Sequence, residues 1–229
     1  MSIEKTQAQI LKHHGGDPEF ARKMITQTYE RRHDNDFWEF WNAQMGTSIA
    51  KHDVLMDLGA GIGQFVEDLA IRYPENRVIG IDAADYMLTA QLSLPDNARM
   101  LKDDLNDPKA HLEAETVAAV MANMLVHELP QPVKMFKAVH QWLKPGGRFC
   151  IIDLVRQPLQ DYLEHKFPEN ALWENDIERD EIEDVFDHFL EHNRYHAADL
   201  VYMLQACGFT VIEETPQREG RFIRLVVEK

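Results

Sequence analysis

Val54-Leu55-Met56-Asp57-Leu58 runs straight into Gly59-Ala60-Gly61-Ile62-Gly63, and the reading of these residues decides the fold. The first five are almost continuously apolar, as a central strand covered on both faces requires. The three alternate glycines that follow permit a sharp turn in which a ligand can approach the backbone closely. A helical pattern opens at Gly63, so the segment reads as strand, glycine turn and helix with a ligand above the turn. A dinucleotide fingerprint, Gly-x-Gly-x-x-Gly, would place glycine at position 64; Gln64 stands there and counts against a nicotinamide cofactor.

Outward from this segment, short apolar runs alternate with helical stretches, the pattern of repeated β-α units around a parallel sheet. Strands are expected at Val54–Leu58, Arg77–Ile81, Ala98–Leu101, Thr116–Ala122 and Gly147–Asp153, and helices at Gly63–Tyr73, Ala84–Leu92 and Pro132–Leu143. Residues around Ala110 read ambiguously because that connection is short and charged. Thr210–Glu214 and Phe222–Glu228 read as an antiparallel hairpin closed by Thr215-Pro216-Gln217-Arg218-Glu219-Gly220. The expected fold is a doubly wound, mostly parallel seven-stranded α/β sheet with an antiparallel C-terminal hairpin.

Two segments lie outside the alternation. Residues 1–50 are helical in pattern, rich in bulky side chains and broken at His14-Gly15-Gly16-Asp17-Pro18, and are expected to form an N-terminal helical cap on a domain spanning 51–229. Residues 157–195 are acidic with interspersed aromatics and are expected to form a helical lid inserted after the fifth strand.

The chain has 229 residues, 45% of them hydrophobic, enough for one good core. Its 24 Lys and Arg against 39 Asp and Glu give a formal charge of -15, which repels phosphate backbones and anionic membrane faces. Nucleic-acid and membrane partners are therefore not expected, and the Arg31-Arg32 cluster reads as a solvated helix face. No run approaches the ~20 apolar residues of a membrane span, and the start lacks an apolar signal core, so a cytoplasmic protein is expected. Cys150 and Cys207 are too few for a disulfide framework and read as buried thiols. The sequence leaves room for a homodimer.

The glycine segment resembles motif I of class I S-adenosylmethionine (SAM)-dependent methyltransferases, acidic-x-Gly-x-Gly-x-Gly. Val78-Ile79-Gly80-Ile81-Asp82 is similar to the family's second strand, Leu143-Lys144-Pro145-Gly146-Gly147 with Phe149–Asp153 to its turn and fifth strand, and His196–Phe209 to the helix and turn before its sixth. The resemblance covers residues 50–229 in order. It implies a methyltransferase acting on a small molecule, with SAM as cofactor and S-adenosylhomocysteine as product. Asp57 would orient the methionine part, Asp82 would accept hydrogen bonds from the ribose hydroxyls, and Asp103 or, better aligned, Asp104 would meet the adenine amino group. Gly59, Ala60, Gly61, Gly63, Ala83, Met87, Leu105, Asn123 and Met124 complete the implied cofactor set.

The end of the fourth strand, Asn123–Pro130, falls at the carboxyl edge of the sheet, where open α/β folds bind ligands. His127 is a candidate general base with Glu128 as its orienting partner; the alternative is a histidine that packs beside the cofactor. Tyr29, Phe37, Trp38, Trp41, His127 and Trp173 are the expected substrate wall, the aromatics also suiting a cationic centre; packing of the N-terminal helices is the competing role for those aromatics. His188, His192 and His196 recur every four residues, but no metal is expected and a solvated helix is the reading adopted. Three other readings stay open: a SAM-fold enzyme of different chemistry, an NAD-dependent oxidoreductase, and a noncatalytic SAM-binding regulator.

Overall fold

The computed structural model describes residues 2–168, 178–192 and 194–229. Its centre is a seven-stranded sheet in the order β3-β2-β1-β4-β5-β7-β6, built from β1 (Val54–Leu58), β2 (Arg77–Asp82), β3 (Ala98–Lys102), β4 (Val117–Asn123), β5 (Leu143–Leu154), β6 (Thr210–Gln217) and β7 (Phe222–Glu228). The first five strands are parallel; β7 runs antiparallel to both β5 and β6. From β1 the chain adds β2 and β3 on one side and then crosses to β4 and β5 on the other, so a crevice opens at the carboxyl ends of β1 and β4.

Alternation along each strand divides the core between two layers. Met56, Leu58, Val120 and Phe149 pack beneath α6 (Val133–Trp142) and α9 (Ala197–Ala206). On the opposite face Leu55, Val78, Met121 and Cys150 meet α4 (Gln64–Arg72) and α3 (Asn35–Gln44). Helix α4 sits close on β2 because residue 80 is glycine: a Cβ there would collide with Met100 Sδ and lie 2.7 Å from Val66 Cγ2.

The first 50 residues form α1 (Ile3–His13), α2 (Pro18–Arg32), α3 and a short 3-10 turn at Gly46–Ser48. Asp17 starts α2 by accepting the Glu19 and Phe20 amides at 2.8 and 3.4 Å, ahead of Pro18 at the first helical position. After β5 come α7 (Leu159–Lys166) and α8 (Arg179–His192).

Local differences from the sequence reading have physical causes. The helix expected at Ala84–Leu92 is only α5 (Asp85–Leu88), because the chain then turns so that the Leu92 amide donates to Ile62 O at 3.0 Å. Strand β5 begins at Leu143, ahead of the expected Gly147, with a register shift where Pro145-Gly146-Gly147 passes β4. Thr215-Pro216-Gln217 belong to β6 rather than to the connector. Pro216 is tolerated there, facing Ile223, because β6 is the edge strand.

Candidate active site

Above the crevice lies a cavity of ≈ 390 Å³, within the range of small-molecule and cofactor sites. Its floor comes from strand ends and its cover from α1, α2 and α8. In the turn after β1, Gly59, Gly61 and Gly63 have φ of 72°, 56° and 91°, the left-handed region that L side chains rarely adopt. Asp82, at the tip of β2, accepts the Gly61 amide and the Ala84 amide, each at 2.7 Å, and so ties the turn to the next strand. Burial raises the Asp82 carboxyl to about 6, against the lowering effect of these backbone donors.

Asp57 is buried, lines the cavity and makes no side-chain hydrogen bond among the described residues. Burial and the neighbouring Asp82 charge push its pKa well above the usual carboxylate value. Gln64 Oε1, also at this cavity, is buried without a hydrogen-bond partner. A buried carboxylate and a buried amide oxygen without donors are costly unless a ligand supplies the donors. An ammonium group with a ribosyl moiety, as SAM carries, satisfies that demand, so the residues present fit the cofactor that the motif implies.

Asp104, Leu105, Ala83, Met87, Asn123 and Met124 all line the same cavity. Asp104 Oδ1 accepts from the Asn106 amide and Nδ2, both at 3.0 Å, and Oδ2 from Thr6 Oγ1 of α1 at 2.8 Å. Asp103 is not on the cavity: its carboxylate accepts the Asp104, Lys109 and Ala110 amides at 2.9, 2.7 and 2.7 Å and braces the loop after β3. Gly63 lies outside the lining too, as the N-cap of α4. Met124 holds φ of 58° at the end of β4, a backbone conformation uncommon outside glycine and concentrated at functional sites.

His127 is buried beside the cavity, and its closer partner is Asp153, with Glu128 at its other ring nitrogen. The His127 Nδ1–H donates to Asp153 Oδ1 at 2.5 Å, while Nε2 faces Glu128 Oε1 at 3.3 Å. Asp153, wholly buried at the end of β5, also accepts the Leu125 amide at 3.0 Å and the Val126 amide. Burial opposes charge on His127, yet the two carboxylates win and raise its pKa to about 10. An imidazolium near neutral pH has no lone pair for a base.

Glu128 joins floor to cover. Its Oε2 accepts from His13 Nδ1 of α1 at 2.5 Å, and His13 Nε2 donates to Glu191 Oε2 of α8 at 2.9 Å. Burial disfavours charge on His13, but the two carboxylates raise its pKa on balance. His192 Nε2 lies 3.7 Å from Glu128 Oε1. Ligand atoms of His13, Glu128 and His192 fall within 4.8 Å of one another, a donor set able to hold a divalent ion.

The solvated reading of the histidine run holds for His188 and His196, which are exposed, and is corrected for His192, which is buried. Helix α8 ends at His192, and His196 instead caps α9, its amide donating to Asp199 Oδ2 at 2.9 Å. His188 and His192 stack at 4.0 Å and face the cavity, and burial with the His188 charge lowers His192 to about 3.

Of the expected aromatic wall, Tyr29 lines the cavity and donates its hydroxyl to Asp68 Oδ2 at 2.5 Å. Trp38 and Trp41 lie instead in the core beneath α3 against Phe65, with the Arg72 guanidinium 3.7 Å above the Trp38 ring and Trp41 Nε1 donating to the Tyr73 hydroxyl at 3.1 Å. Phe37 packs in the same cluster and borders a neighbouring cavity. Their apolar area is better spent joining α3 to the sheet. Trp173 lies outside the described residues. Sequence reasoning missed Thr6, His13, His33, Gln64 and Asp153. Asp153 carried a signal, an acidic residue at a strand end like Asp57 and Asp82; the others are placed by tertiary contacts.

The sheet order, glycine turn and strand-end carboxylates define the class: the fold is that of class I SAM-dependent methyltransferases. Residues 56–151 match the family described as methyltransferase domain. It is similar to trans-aconitate 2-methyltransferase of Azoarcus sp. (strain BH72), 32% identical over 98 residues that cover 42% of this chain and 37% of that protein. Among solved structures, a SAM-dependent methyltransferase from Aquifex aeolicus aligns with TM-score 0.62 at 19% identity, covering 93% of this chain and 97% of that one. Haemonchus contortus phosphoethanolamine N-methyltransferase 2 in complex with SAM aligns with TM-score 0.61 at 16% identity, covering 95% of this chain and 46% of that one. The matched stretch thus spans well under two thirds of the curated relative's length.

Proposed function

We propose that the chain is a SAM-dependent methyltransferase acting on a small molecule. The observation that carries this reading is the pair of buried carboxylates at the glycine turn, Asp82 tied to Gly61 and Asp57 without a donor. The family match at residues 56–151 and the curated relative's name, which specifies a small molecule, support it. Asp57 would meet the cationic amino group, Asp82 the ribose hydroxyls, and Asp104 with Leu105 the adenine. SAM, when bound, supplies a methyl on a sulfonium sulfur, which already has a strong leaving group. The chain's own task is then alignment and exclusion of water, since positioning can supply ~7 to 11 kcal/mol.

Bound there, SAM would give that methyl to the acceptor's electron pair by displacement, the carbon–sulfur pair staying on sulfur as a neutral thioether. His127, held protonated by Asp153 and Glu128, fixes the loop after β4 and presents positive charge rather than taking a proton. Helices α1 and α8, joined through His13, Glu128 and Glu191, act as the lid. A cytoplasmic setting accords with the two free thiols, Cys150 and Cys207.

Calorimetry with SAM, S-adenosylhomocysteine and NAD tests the reading. SAM and its demethylated product should bind and NAD should not, and Asp82→Ala should lose about two charge-assisted hydrogen bonds, weakening SAM at least tenfold. Unchanged affinity in that variant, or no SAM binding by the wild type, refutes the assignment.

A further inference from the structure

A second cavity of ≈ 270 Å³ adjoins the first, and Arg32, Asn123 and Met124 line both. Four arginines converge on it: Arg31 and Arg32 from the end of α2, Arg218 from the turn between β6 and β7, and Arg224 from β7. Arg224 is neutralised by Glu213 Oε1, at 2.9 Å from Nε and 2.7 Å from Nη2. Arg31, Arg32 and Arg218 have no carboxylate within ion-pair distance among the described residues, although Asp34 and Asp36 also border the cavity. Asp34 instead caps α3, accepting the Phe37 amide at 3.0 Å.

The solvated-face reading of Arg31-Arg32 therefore fails for Arg32. Its Nη2 donates to Thr28 Oγ1 at 2.8 Å, and burial together with the charges of Arg218 and Arg31 lowers its pKa. Three unpaired like charges sharing one partly enclosed space repel one another. In a chain of formal charge -15 that arrangement runs against the overall balance, and a bound anion would relieve it. The guanidinium fork matches a carboxylate or phosphate in two parallel hydrogen bonds.

We infer that this arginine cavity seats the anionic group, carboxylate or phosphate, of the methyl acceptor on Arg31, Arg32 and Arg218, with the reacting atom turned toward Asn123 and Met124. The inference rests on the methyltransferase reading and names its substrate class. The acidic remainder of the surface repels the same anions, which confines their binding to this place.

The test uses the full chain saturated with S-adenosylhomocysteine and titrated at low salt with citrate, inorganic phosphate and, as a neutral control, glycerol. One of the two anions should bind and glycerol should not, with citrate favoured if the anchor is a carboxylate and phosphate if it is a phosphoryl group. The double variant R31Q/R218Q should bind that anion at least about tenfold more weakly, each residue losing a charge-assisted contact discounted for solvent exposure, while its affinity for S-adenosylhomocysteine stays unchanged. Arg32 is left intact because it also borders the cofactor cavity. The inference is overturned if neither anion binds to the saturated wild type or if the variant binds it equally well. A failure to bind S-adenosylhomocysteine overturns the preceding reading instead.

Discussion

The floor and the cover of the main cavity are built by different means. On the floor, Asp57, Asp82 and Asp153 stand in β1, β2 and β5, where strand register fixes their carboxylates, and Asp104 follows the end of β3 by two residues. On the cover, Thr6, His13, Tyr29 and His192 reach the same space from α1, α2 and α8, held by side-chain contacts rather than by strand register. We propose that the floor belongs to the cooperative core and that the cover is a set of local attachments able to open without unfolding the sheet. That contrast predicts where a substitution spreads and where it stays local.

The largest expected effect is on the floor. Asp153→Ala removes the wholly buried partner of His127 together with the acceptor for the Leu125 and Val126 amides. Breaking a buried pair from one side costs ~3–5 kcal/mol, which urea unfolding should read as a global loss. The sign agrees with the raised pKa of His127. Its stabilising contribution is complete below the unfolded value near 6.5 and is lost as the pH climbs through about 10. A variant as stable as the wild type at pH 7 would detach Asp153 from the core and break the contrast.

The middle effect lies on the cover. Thr6→Val keeps the shape of the side chain but removes the 2.8 Å hydrogen bond to Asp104, a charge-assisted contact worth ~1.5–3 kcal/mol. The loss should appear as faster amide exchange over residues 3–13, with the midpoint of global unfolding nearly unchanged. If global stability falls by the full amount, α1 and the sheet form one unit and the distinction between floor and cover disappears.

The same division explains what was legible in the amino-acid sequence. The strand ends that carry Asp57 and Asp82 could be read because strand and turn patterns are local, whereas the cofactor roles of Asp57, Asp82 and Asp104 came only from the family resemblance. The seven strands followed from the same periodicity. Glu128 was legible as a site residue but not in its role: whether it orients His127 or latches His13 depends on where α1 docks, 115 residues away in sequence. Phe37, Trp38 and Trp41 misled for the same reason, since an aromatic helix face looks alike whether it covers a ligand or a core, and only the position of Phe65 decides. Arg31 and Arg32 read as solvated because the hairpin that brings Arg218 beside them lies at the other end of the chain.

The smallest effect joins the two regions through protons. Burial raises Asp82 to about 6, so the ligand-free protein takes up a proton there as the pH falls below that value. A protonated acid has one acceptor oxygen fewer for ribose hydroxyls, and ligand and proton then compete. Affinity for S-adenosylhomocysteine should be nearly constant above pH 7 and fall by up to about tenfold between pH 6 and 5, or ~1.4 kcal/mol. Asp82→Asn should bind more weakly at all pH values and lose this slope. Asp57, whose pKa is raised by burial and by the Asp82 charge, titrates with Asp82 as a coupled pair, so a slope that survives in Asp82→Asn belongs to Asp57. A flat profile in the wild type would mean that the floor carboxylates stay ionised without ligand, and that the glycine turn is preorganised for cofactor more fully than their burial implies.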